Sequence, residues 1–293
     1  MPLVHRIRKS FRNIKGRFLY SAFPRFVDFL TAAEMIPAAR KLKKEKVGRI
    51  LIDNTILGHG VTHETAWIDT GKAKWGDVEI DTGYAARIPV HSEQDKSKEA
   101  RSVRYLPGIA HLTKRGLITL ATSMELKDEQ WTQPRGRFVG YGTFDYSMFR
   151  DLPIETIKDQ EYSMIIAPSL GVPSLEEQRR ERLKSKTDSL YLDLIKVLGP
   201  KNSQDAWHIF TAERNECYCF LTMDFRLIRN VRAQERNKVI QSLRTKVITP
   251  EEFGREFSVA PLSPRLFSFH EASFPVVPES NWADSKRQKR RGH

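Results

Sequence analysis

The sequence predicts an α/β fold in which a mostly parallel central sheet is flanked by helices. Three short apolar runs, RILID, LITLA and CYCFLT, have the composition of strands that are buried on both faces. Helix-like stretches separate these runs, and strands that alternate with helices favour a parallel sheet. Turn-rich segments between the runs predict an inserted hairpin and inserted loop elements.

The first 47 residues predict a basic helical extension that precedes the main domain. The stretches FPRFVDFLTAAEM and PAARKLKKEK are helix-like, and Pro37 starts the second one, where a first turn tolerates proline. Between residues 58 and 90, the segments GDVEI, DTG and YAARIPV predict a β-hairpin with its turn at DTG. The helix predicted at VRYLPGIAHLTKRG is expected to break or kink near Pro107.

The second half of the chain continues the alternation of helices and strands. Residues 131–162 are rich in Gly, Pro and aromatic residues and predict an irregular insertion, with YSMIIAPSLGV as a further candidate strand. A long helix is predicted from Ser174, a good cap, to Gly199, a good stop. KVITPEEF predicts a closing strand, turn and short helix. The predicted main domain spans 48–257, with insertions at about 58–100 and 131–170, and 258–293 form an irregular extension with a basic tail.

The composition predicts a soluble protein of a reducing compartment, and we expect it in the cytoplasm. Of the 293 residues, 40% are apolar, and no apolar run approaches the roughly 18 residues that span a bilayer. The basic N-terminus lacks the apolar centre of a secretory signal, although an organellar transit peptide is an alternative. Cys217 and Cys219 lie two residues apart, a spacing that favours neither a disulfide framework nor a zinc site.

The net charge of +13 is concentrated at the two ends of the chain. Residues 1–47 contain twelve Lys or Arg and three acidic residues, and residues 280–293 contain five and one. The residues between these two segments are neutral overall. Clustered cations release counterions from a phosphate backbone, so this distribution favours a nucleic-acid partner over ends that only aid solubility.

Four acidic residues are predicted to meet at one edge of the sheet. Asp53 ends the RILID run, and Asp224 follows CYCFLT after a single residue. Glu125 lies four residues beyond LITLA, and Asp205 lies in the first turn of the helix that leads into CYCFLT. Ligands of open parallel sheets bind outside the carboxyl ends of the strands, where all four acids are expected. Each acid alone is more typical of a helix cap or a solvated surface.

Crowding of these carboxylates predicts a bound divalent cation. Like charges a few ångströms apart repel each other and raise each other's pKa. Carboxylate oxygens together with retained waters are the ligands that Mg²⁺ and Mn²⁺ favour. The sequence therefore predicts a Mg²⁺ or Mn²⁺ site formed by Asp53, Glu125, Asp205 and Asp224.

Four stretches of this chain resemble the motifs of the PIN-domain nuclease family, over roughly residues 48–257. ILIDNTIL resembles the first strand with its leading aspartate, and LITLATSMEL resembles the strand that runs into Ser-x-x-Glu. SQDAWHIFTAERNECYCFLTMDF resembles the third and fourth motifs run together, and KVITPEEF resembles the end of the domain. The first motif departs from the family pattern, because Asn54 and Thr55 stand where the family has a hydroxyl residue and then Asn.

The resemblance implies metal-dependent hydrolysis of phosphodiester bonds, most of all in RNA. By position it implies that Asp53, Glu125, Asp205 and Asp224 hold the metal and that Thr222 positions the nucleophile. The resemblance also implies three further candidate partners: single-stranded DNA, a second copy of the chain in a homodimer, and an antitoxin-like protein. The alternative is a non-catalytic module that docks RNA or a protein. A hydrolase of small phosphorylated substrates is disfavoured, because DNTIL lacks the second acid of an Asp-x-Asp pattern.

Overall fold

A five-stranded parallel sheet lies at the centre of the fold and confirms the predicted α/β class. The computed structural model describes residues 14–131, 133, 147–160, 171–272 and 276. The strands in these residues are β1 (Arg49–Ile52), β2 (His63–Trp75), β3 (Val78–Pro89), β4 (Thr119–Ser123), β5 (Ile154–Ile157), β6 (Cys219–Leu221) and β7 (Lys246–Ile248). The order in the central sheet is β5-β4-β1-β6-β7, so β1 pairs with both β4 and β6.

Strand β1 is buried on both faces, which explains its uninterrupted apolar composition. Ile50, Leu51 and Ile52 are all fully buried. Successive side chains of a strand point to opposite faces, and accordingly Ile50 and Ile52 pack in one apolar cluster while Leu51 packs in another. Each face of the sheet is therefore covered by its own layer of helices.

The helices lie on these two faces. They are α1 (Phe23–Glu34), α2 (Ile36–Glu45), α3 (Asn54–His59), α4 (Lys98–Val103), α5 (Leu106–Lys114), α6 (Met124–Trp131), α7 (Leu175–Lys184), α8 (Ser189–Leu198), α9 (Ser203–Arg214), α10 (Phe225–Ala233), α11 (Lys238–Gln241) and α12 (Pro250–Phe257). A π-helical segment (Phe18–Ala22) precedes α1, and short 3₁₀ turns span Pro200–Asn202 and Pro264–Phe267. Helices α1, α2, α5 and α12 pack on the face of Ile50, and α8 and α9 pack on the face of Leu51.

The segments that flank the predicted main domain share its core where the structure describes them. Val27 of α1 and Leu42 of α2 are buried in the same cluster as Ile50, and so is Phe267 near the C-terminal end. The first 13 residues and the predicted basic tail at 280–293 lie outside the described residues. Among the described helices, none combines the length and the apolar character that crossing a membrane requires.

The predicted hairpin is present, but its turn lies elsewhere than at DTG. Strands β2 and β3 pair antiparallel from His63 opposite Pro89 to Trp75 opposite Val78, so Gly76 and Asp77 form the turn. Gly76 has φ +64°, a conformation that glycine adopts without strain and that two-residue hairpin turns require. The glycine of DTG, Gly83, lies inside β3 beneath the Trp67 ring.

Two further expectations are corrected by the structure. Residues 154–157 form β5, an edge strand of the central sheet, inside a stretch whose composition predicts an irregular insertion. The helix predicted from Ser174 to Gly199 is two helices, because α7 ends at Lys184 and α8 starts only at Ser189. Most of the candidate strand YSMIIAPSLGV, at residues 162–172, falls outside the described residues.

Candidate active site

Asp53 lies at the carboxyl end of β1, directly before α3, and it is held by two hydroxyl groups. Its Oδ2 accepts hydrogen bonds from Thr55 Oγ1 and from Thr222 Oγ1, both at 2.6 Å. Thr222 arrives at this point because it follows β6, which pairs in parallel with β1. Asp53 is only 9% exposed, and this burial raises the pKa of its carboxyl. The two threonine hydroxyls oppose that rise in pKa, and the Asp224 carboxylate adds to it.

The same two hydroxyls fix the loop that follows β6. Thr222 Oγ1 accepts from the Asp224 backbone N–H at 2.9 Å, and Thr55 Oγ1 accepts from the Met223 N–H at 3.0 Å. Each threonine thus donates to Asp53 and accepts from the loop. The Asp53 carboxylate is consequently held in one position relative to the start of α10.

Asp224 is the N-terminal cap of α10. Its Oδ1 accepts from the backbone N–H groups of Arg226 at 2.8 Å and Leu227 at 3.0 Å. The first N–H groups of a helix and its dipole favour a negative charge at this position. Asp224 therefore stays at the carboxyl edge of the sheet, within electrostatic reach of Asp53.

Asp205 joins this pair from a different element. It is the third residue of α9, the helix that leads into β6. Burial raises the pKa of Asp205 to about 6, and the negative charges of Asp224 and Asp53 contribute to the rise, while Arg226 opposes it. The structure thus places Asp53, Asp205 and Asp224 in one electrostatically coupled group.

The fourth carboxylate of this group is Glu129, in the last turn of α6. Burial raises the pKa of Glu129 to about 7, and the negative charges of Asp53 and Asp205 add to the rise. Arg179 and a hydrogen bond from Asn54 Nδ2, at 2.9 Å, oppose it. Sequence reasoning missed Glu129, although it lies one helical turn after Glu125 and so shares a helix face with it.

Glu125, the fourth residue of the predicted metal site, lies in a buried ion-pair cluster. One carboxylate oxygen accepts from Arg179 Nε at 2.7 Å, and the other accepts from Arg182. Arg182 also binds Asp128 at 3.0 Å. Both arginines come from α7, the first part of the helix predicted from Ser174 to Gly199. Both carboxylate oxygens of Glu125 are used by guanidinium groups, so this carboxylate supports α7.

Asp159 is a further acid at the carboxyl edge, just beyond β5, and it has a structural role. Its Oδ2 accepts from Trp207 Nε1 at 2.9 Å, and its Oδ1 accepts from the backbone N–H of Glu125 at 3.2 Å. Burial raises the pKa of its carboxyl, whereas these donors lower it. Asp159 thereby ties α9, which carries Asp205, to the start of α6.

The donor chemistry of the coupled group suits a hard divalent cation. Mg²⁺ usually keeps several waters and binds proteins through one or two carboxylates, at oxygen atoms. Within the described residues, no set of three or more His, Cys, Asp or Glu side chains is spaced to hold one ion together. An ion that keeps most of its waters would need only one or two of the aspartates.

The raised pKa of Asp205 predicts how the stability of the metal-free protein depends on pH. The Asp205 carboxyl has a pKa of about 6 in the folded protein and an ordinary value of 3.8. As the pH rises between these values, the unfolded chain loses this proton more readily than the folded protein, so folding becomes less favourable. At 1.36 kcal/mol per pKa unit, Asp205→Asn should raise the free energy of unfolding at pH 8 by about 2–3 kcal/mol. The gain should disappear towards pH 4. Urea denaturation in EDTA at the two pH values measures it.

The matched control for this prediction is Asp193→Asn, because the Asp193 side chain is 45% exposed and pairs with Lys196 on the surface. It should change the free energy of unfolding by less than about 1 kcal/mol at either pH. An equal stabilisation by Asp205→Asn at both pH values would show that the carboxylate charge is not its cause.

Comparison of the chain with protein-family models, with curated proteins and with solved structures gave no match. The function is therefore inferred from the α/β fold, the coupled carboxylates and the motifs in the sequence.

Proposed function

We propose that this chain is a Mg²⁺- or Mn²⁺-dependent endonuclease of the PIN-domain type that hydrolyses RNA. The observation that carries the proposal is the coupling of three aspartates from three different elements at the carboxyl edge of β1 and β6. Burying carboxylates that raise each other's pKa opposes folding, and such groups concentrate at functional sites. A divalent cation removes this repulsion and thereby accounts for it.

In the proposed mechanism, Asp53 and Asp205 would hold the metal directly, and Asp224 would contribute through water. A bound Mg²⁺ or Mn²⁺ would supply a water of lowered pKa and stabilisation of negative charge on the scissile phosphate. Thr55 and Thr222 hold the Asp53 carboxylate in place through their 2.6 Å hydrogen bonds. The chain itself thus fixes the position of the ligand oxygens before substrate binds, which reduces the reorganisation required during reaction.

Glu129 supplies a proton acceptor in this proposal. Its pKa of about 7 is close to neutral pH, where a general base is most effective. Asn54 bridges α3 and α6, because its Nδ2 donates to both Glu129 and the Leu126 carbonyl and its Oδ1 accepts from Gln130. This network holds Glu129 beside the element that starts at Asp53.

The charge distribution supports RNA as the substrate. The excess positive charge lies in the two end segments of the chain, outside residues 48–279, which are neutral overall. Lysine and arginine on these ends would bind the phosphates of a single-stranded or folded RNA without reading its sequence. Single-stranded DNA shares this backbone chemistry, and an antitoxin-like protein would be a regulator of the same site.

The second candidate, a non-catalytic module that binds RNA or protein, is favoured by one observation. Glu125 stands in the second motif of the resemblance, yet it is neutralised by two arginines. A binding module would not need the mutual repulsion of the three aspartates, which is the reason to prefer the nuclease.

The experiment that separates the two candidates is a cleavage assay with labelled RNA and DNA of the same sequence, in Mn²⁺, Mg²⁺ or EDTA. We expect cleavage of RNA in Mn²⁺ and none in EDTA. Asp205→Asn should lower the rate at least about 100-fold, and Glu129→Gln by about 100-fold or more, the usual contribution of a general base. Asp193→Asn should cleave at the unaltered rate.

Each other outcome of the assay has a defined meaning. Cleavage that resists EDTA would contradict the metal mechanism. RNA binding without cleavage under every metal condition would establish the binding module. A normal rate for Glu129→Gln together with a loss for Asp205→Asn would keep the metal site and remove Glu129 from the reaction.

A further inference from the structure

The N-terminal helices α1 and α2 each have one side in the core and one exposed side. Val27 of α1 and Leu42 of α2 are buried in the same core cluster. Phe26 and Phe29 lie three residues apart on the other side of α1, where they are neighbours on the helix surface. They are 56% and 71% exposed. The outer side of α1 is therefore covered by large apolar side chains that no other part of the described chain buries.

This exposed apolar side extends beyond α1 in both directions. Ile14 and Phe18, which precede α1, are 65% and 54% exposed, and Ile36, at the start of α2, is 49% exposed. We call Ile14, Phe18, Phe26, Phe29 and Ile36 the N-terminal stripe. Their intervals of four, eight, three and seven residues are close to whole numbers of helical turns, the pattern of a single apolar side. Of the thirteen exposed large hydrophobic residues in the described part of the chain, six lie within residues 14–36.

Basic residues share the exposed side of these helices with the stripe. Arg40 and Lys43 follow Ile36 at intervals of four and three residues, and both are exposed. Lys44 beside them and Arg25 of α1 are exposed as well. Residues 14–47 contain eight Lys or Arg and three acidic residues, a net charge of +5. The apolar residues of the two helices thus have cations next to them on the same surface.

The acidic residues of the same helices lie away from the stripe. Glu34 and Glu45 follow buried core residues of their own helices by seven and three residues, so they are on the side that turns towards the core. Asp28 Oδ1 lies 3.1 Å from His270 Nε2, in the segment that follows the last helix. The charge that accompanies the exposed apolar side chains is consequently positive at the surface itself.

The basic end of α2 is separated from the coupled carboxylates. Helix α2 ends at Glu45 and β1 starts at Arg49, so Lys43 and Lys44 lie at the amino edge of the sheet. Asp53 follows the other end of β1, and a strand of four residues spans roughly 13 Å. These lysines are therefore at the edge opposite to the candidate active site, where they suit a surface other than the scissile part of a substrate.

We propose that the N-terminal stripe and the cations beside it dock this chain on an anionic lipid bilayer, with α1 and α2 lying in the plane of its interface. Amphipathic helices of this kind place Phe and Leu side chains at the boundary between headgroups and acyl chains. Their Lys and Arg side chains are attracted to anionic headgroups, and the long stems of these side chains keep the charge at headgroup level. The docking goes beyond the proposed nuclease function and does not depend on it.

The contact is peripheral, and its chemistry favours lipid over nucleic acid. Helix α1 has 12 residues and is about 18 Å long, whereas the hydrocarbon core of a bilayer is about 30 Å thick. Nucleic-acid surfaces bind unpaired bases by stacking on aromatic rings. Ile14 and Ile36 at the two ends of the stripe have no ring, and an acyl-chain boundary accepts apolar side chains of any shape.

Co-sedimentation of the full chain with lipid vesicles tests the proposal. The vesicles contain phosphatidylcholine and phosphatidylserine in equal amounts, or phosphatidylcholine alone. The unaltered chain should pellet with the anionic vesicles and bind the neutral ones more weakly. Phe26→Gln with Phe29→Gln keeps residues that favour helices and should lower the partition coefficient at least about 30-fold, because two apolar side chains stay in water. Lys43→Gln with Lys44→Gln should lower it about 30-fold on anionic vesicles and little on neutral ones.

Two control variants separate lipid docking from other causes. Phe26→Leu with Phe29→Leu keeps the apolar area and removes the rings, so it should bind anionic vesicles like the unaltered chain, whereas base stacking would be lost. Trp131→Gln with Leu192→Gln is the matched control, because these residues are 71% and 40% exposed on α6 and α8; it should also bind like the unaltered chain. The urea midpoint of each variant shows that its fold is retained.

Three results would overturn the proposal. The first is an unaltered chain that stays in the supernatant with anionic vesicles. The second is equal pelleting of the unaltered chain and the Phe26→Gln, Phe29→Gln variant, since cations alone would then explain the binding. The third is weaker RNA binding by both the Gln and the Leu variants with unchanged vesicle binding, which would make nucleic acid the occupant of the stripe. Because RNA cleavage is assayed without lipid, it tests the nuclease proposal separately.

Discussion

Asp53→Asn should lower the rate of RNA cleavage in Mn²⁺ by about 1,000-fold, which corresponds to about 4 kcal/mol of transition-state stabilisation. The substitution keeps the shape of the side chain and an oxygen that can accept from Thr55 and Thr222. It removes the charge that we propose binds the metal directly. Single-turnover rates with labelled RNA measure the effect, and the urea midpoint of the same variant shows that the fold is retained.

Asp193→Asn is the control for Asp53→Asn as well, because it removes a carboxylate that is 45% exposed and pairs with Lys196 on the surface. We also expect that a higher Mn²⁺ concentration restores part of the activity of the Asp53→Asn protein, since the substitution should weaken the binding of the metal. An Asp53→Asn protein that cleaves at the unaltered rate would exclude the proposed ligand set.

Arg182→Ala should destabilise the protein by about 3–5 kcal/mol, the cost of leaving buried charges without their partner. Arg182 is 4% exposed and binds both Glu125 and Asp128, which are 0% and 6% exposed. Removing its guanidinium leaves the two carboxylates with Arg179 and Gln160 as their remaining donors. Urea denaturation at pH 8 measures the loss.

Arg180→Ala on the same helix is the matched control. Arg180 is 62% exposed and pairs with Glu176 one turn away, an arrangement that contributes less than about 0.5 kcal/mol. Equal effects of Arg180→Ala and Arg182→Ala would mean that the buried cluster does not support α7.

Those parts of the fold that depend on local periodicity were predictable from sequence. The run RILI is apolar because β1 is buried on both faces, and the predicted cap at Ser174 marks a true helix start. Asp53, Asp205 and Asp224 were found because a parallel topology brings strand ends to one edge. This inference needs only the direction of the strands, without any knowledge of side-chain contacts.

The missed features depend on contacts between distant residues. Strand β5 reads Ile-Glu-Thr-Ile in a stretch rich in Gly and Pro, and it is stabilised from outside by pairing with β4 and by Arg49 on Glu155. The local sequence does not distinguish Glu129 from Glu125, because the two residues lie one helical turn apart on the same helix. Only α7, some 50 residues later, decides that Glu125 is neutralised by arginines while Glu129 faces the aspartates.

The hairpin turn was misplaced for a different reason. DTG has the composition of a turn, yet the glycine is required there because the Trp67 ring lies where a side chain would stand. The sequence alone does not distinguish a glycine that accommodates a neighbouring ring from a glycine that allows a turn.

The two threonine hydroxyls at Asp53 come from α3, which follows β1, and from the loop after β6. They can meet only when β1 and β6 are aligned in their native register. A slip of β6 by one residue would turn Thr222 away and leave Asp53 without one of its two donors. The proposed catalysis would therefore require complete assembly of the sheet, and partially folded molecules should be inert.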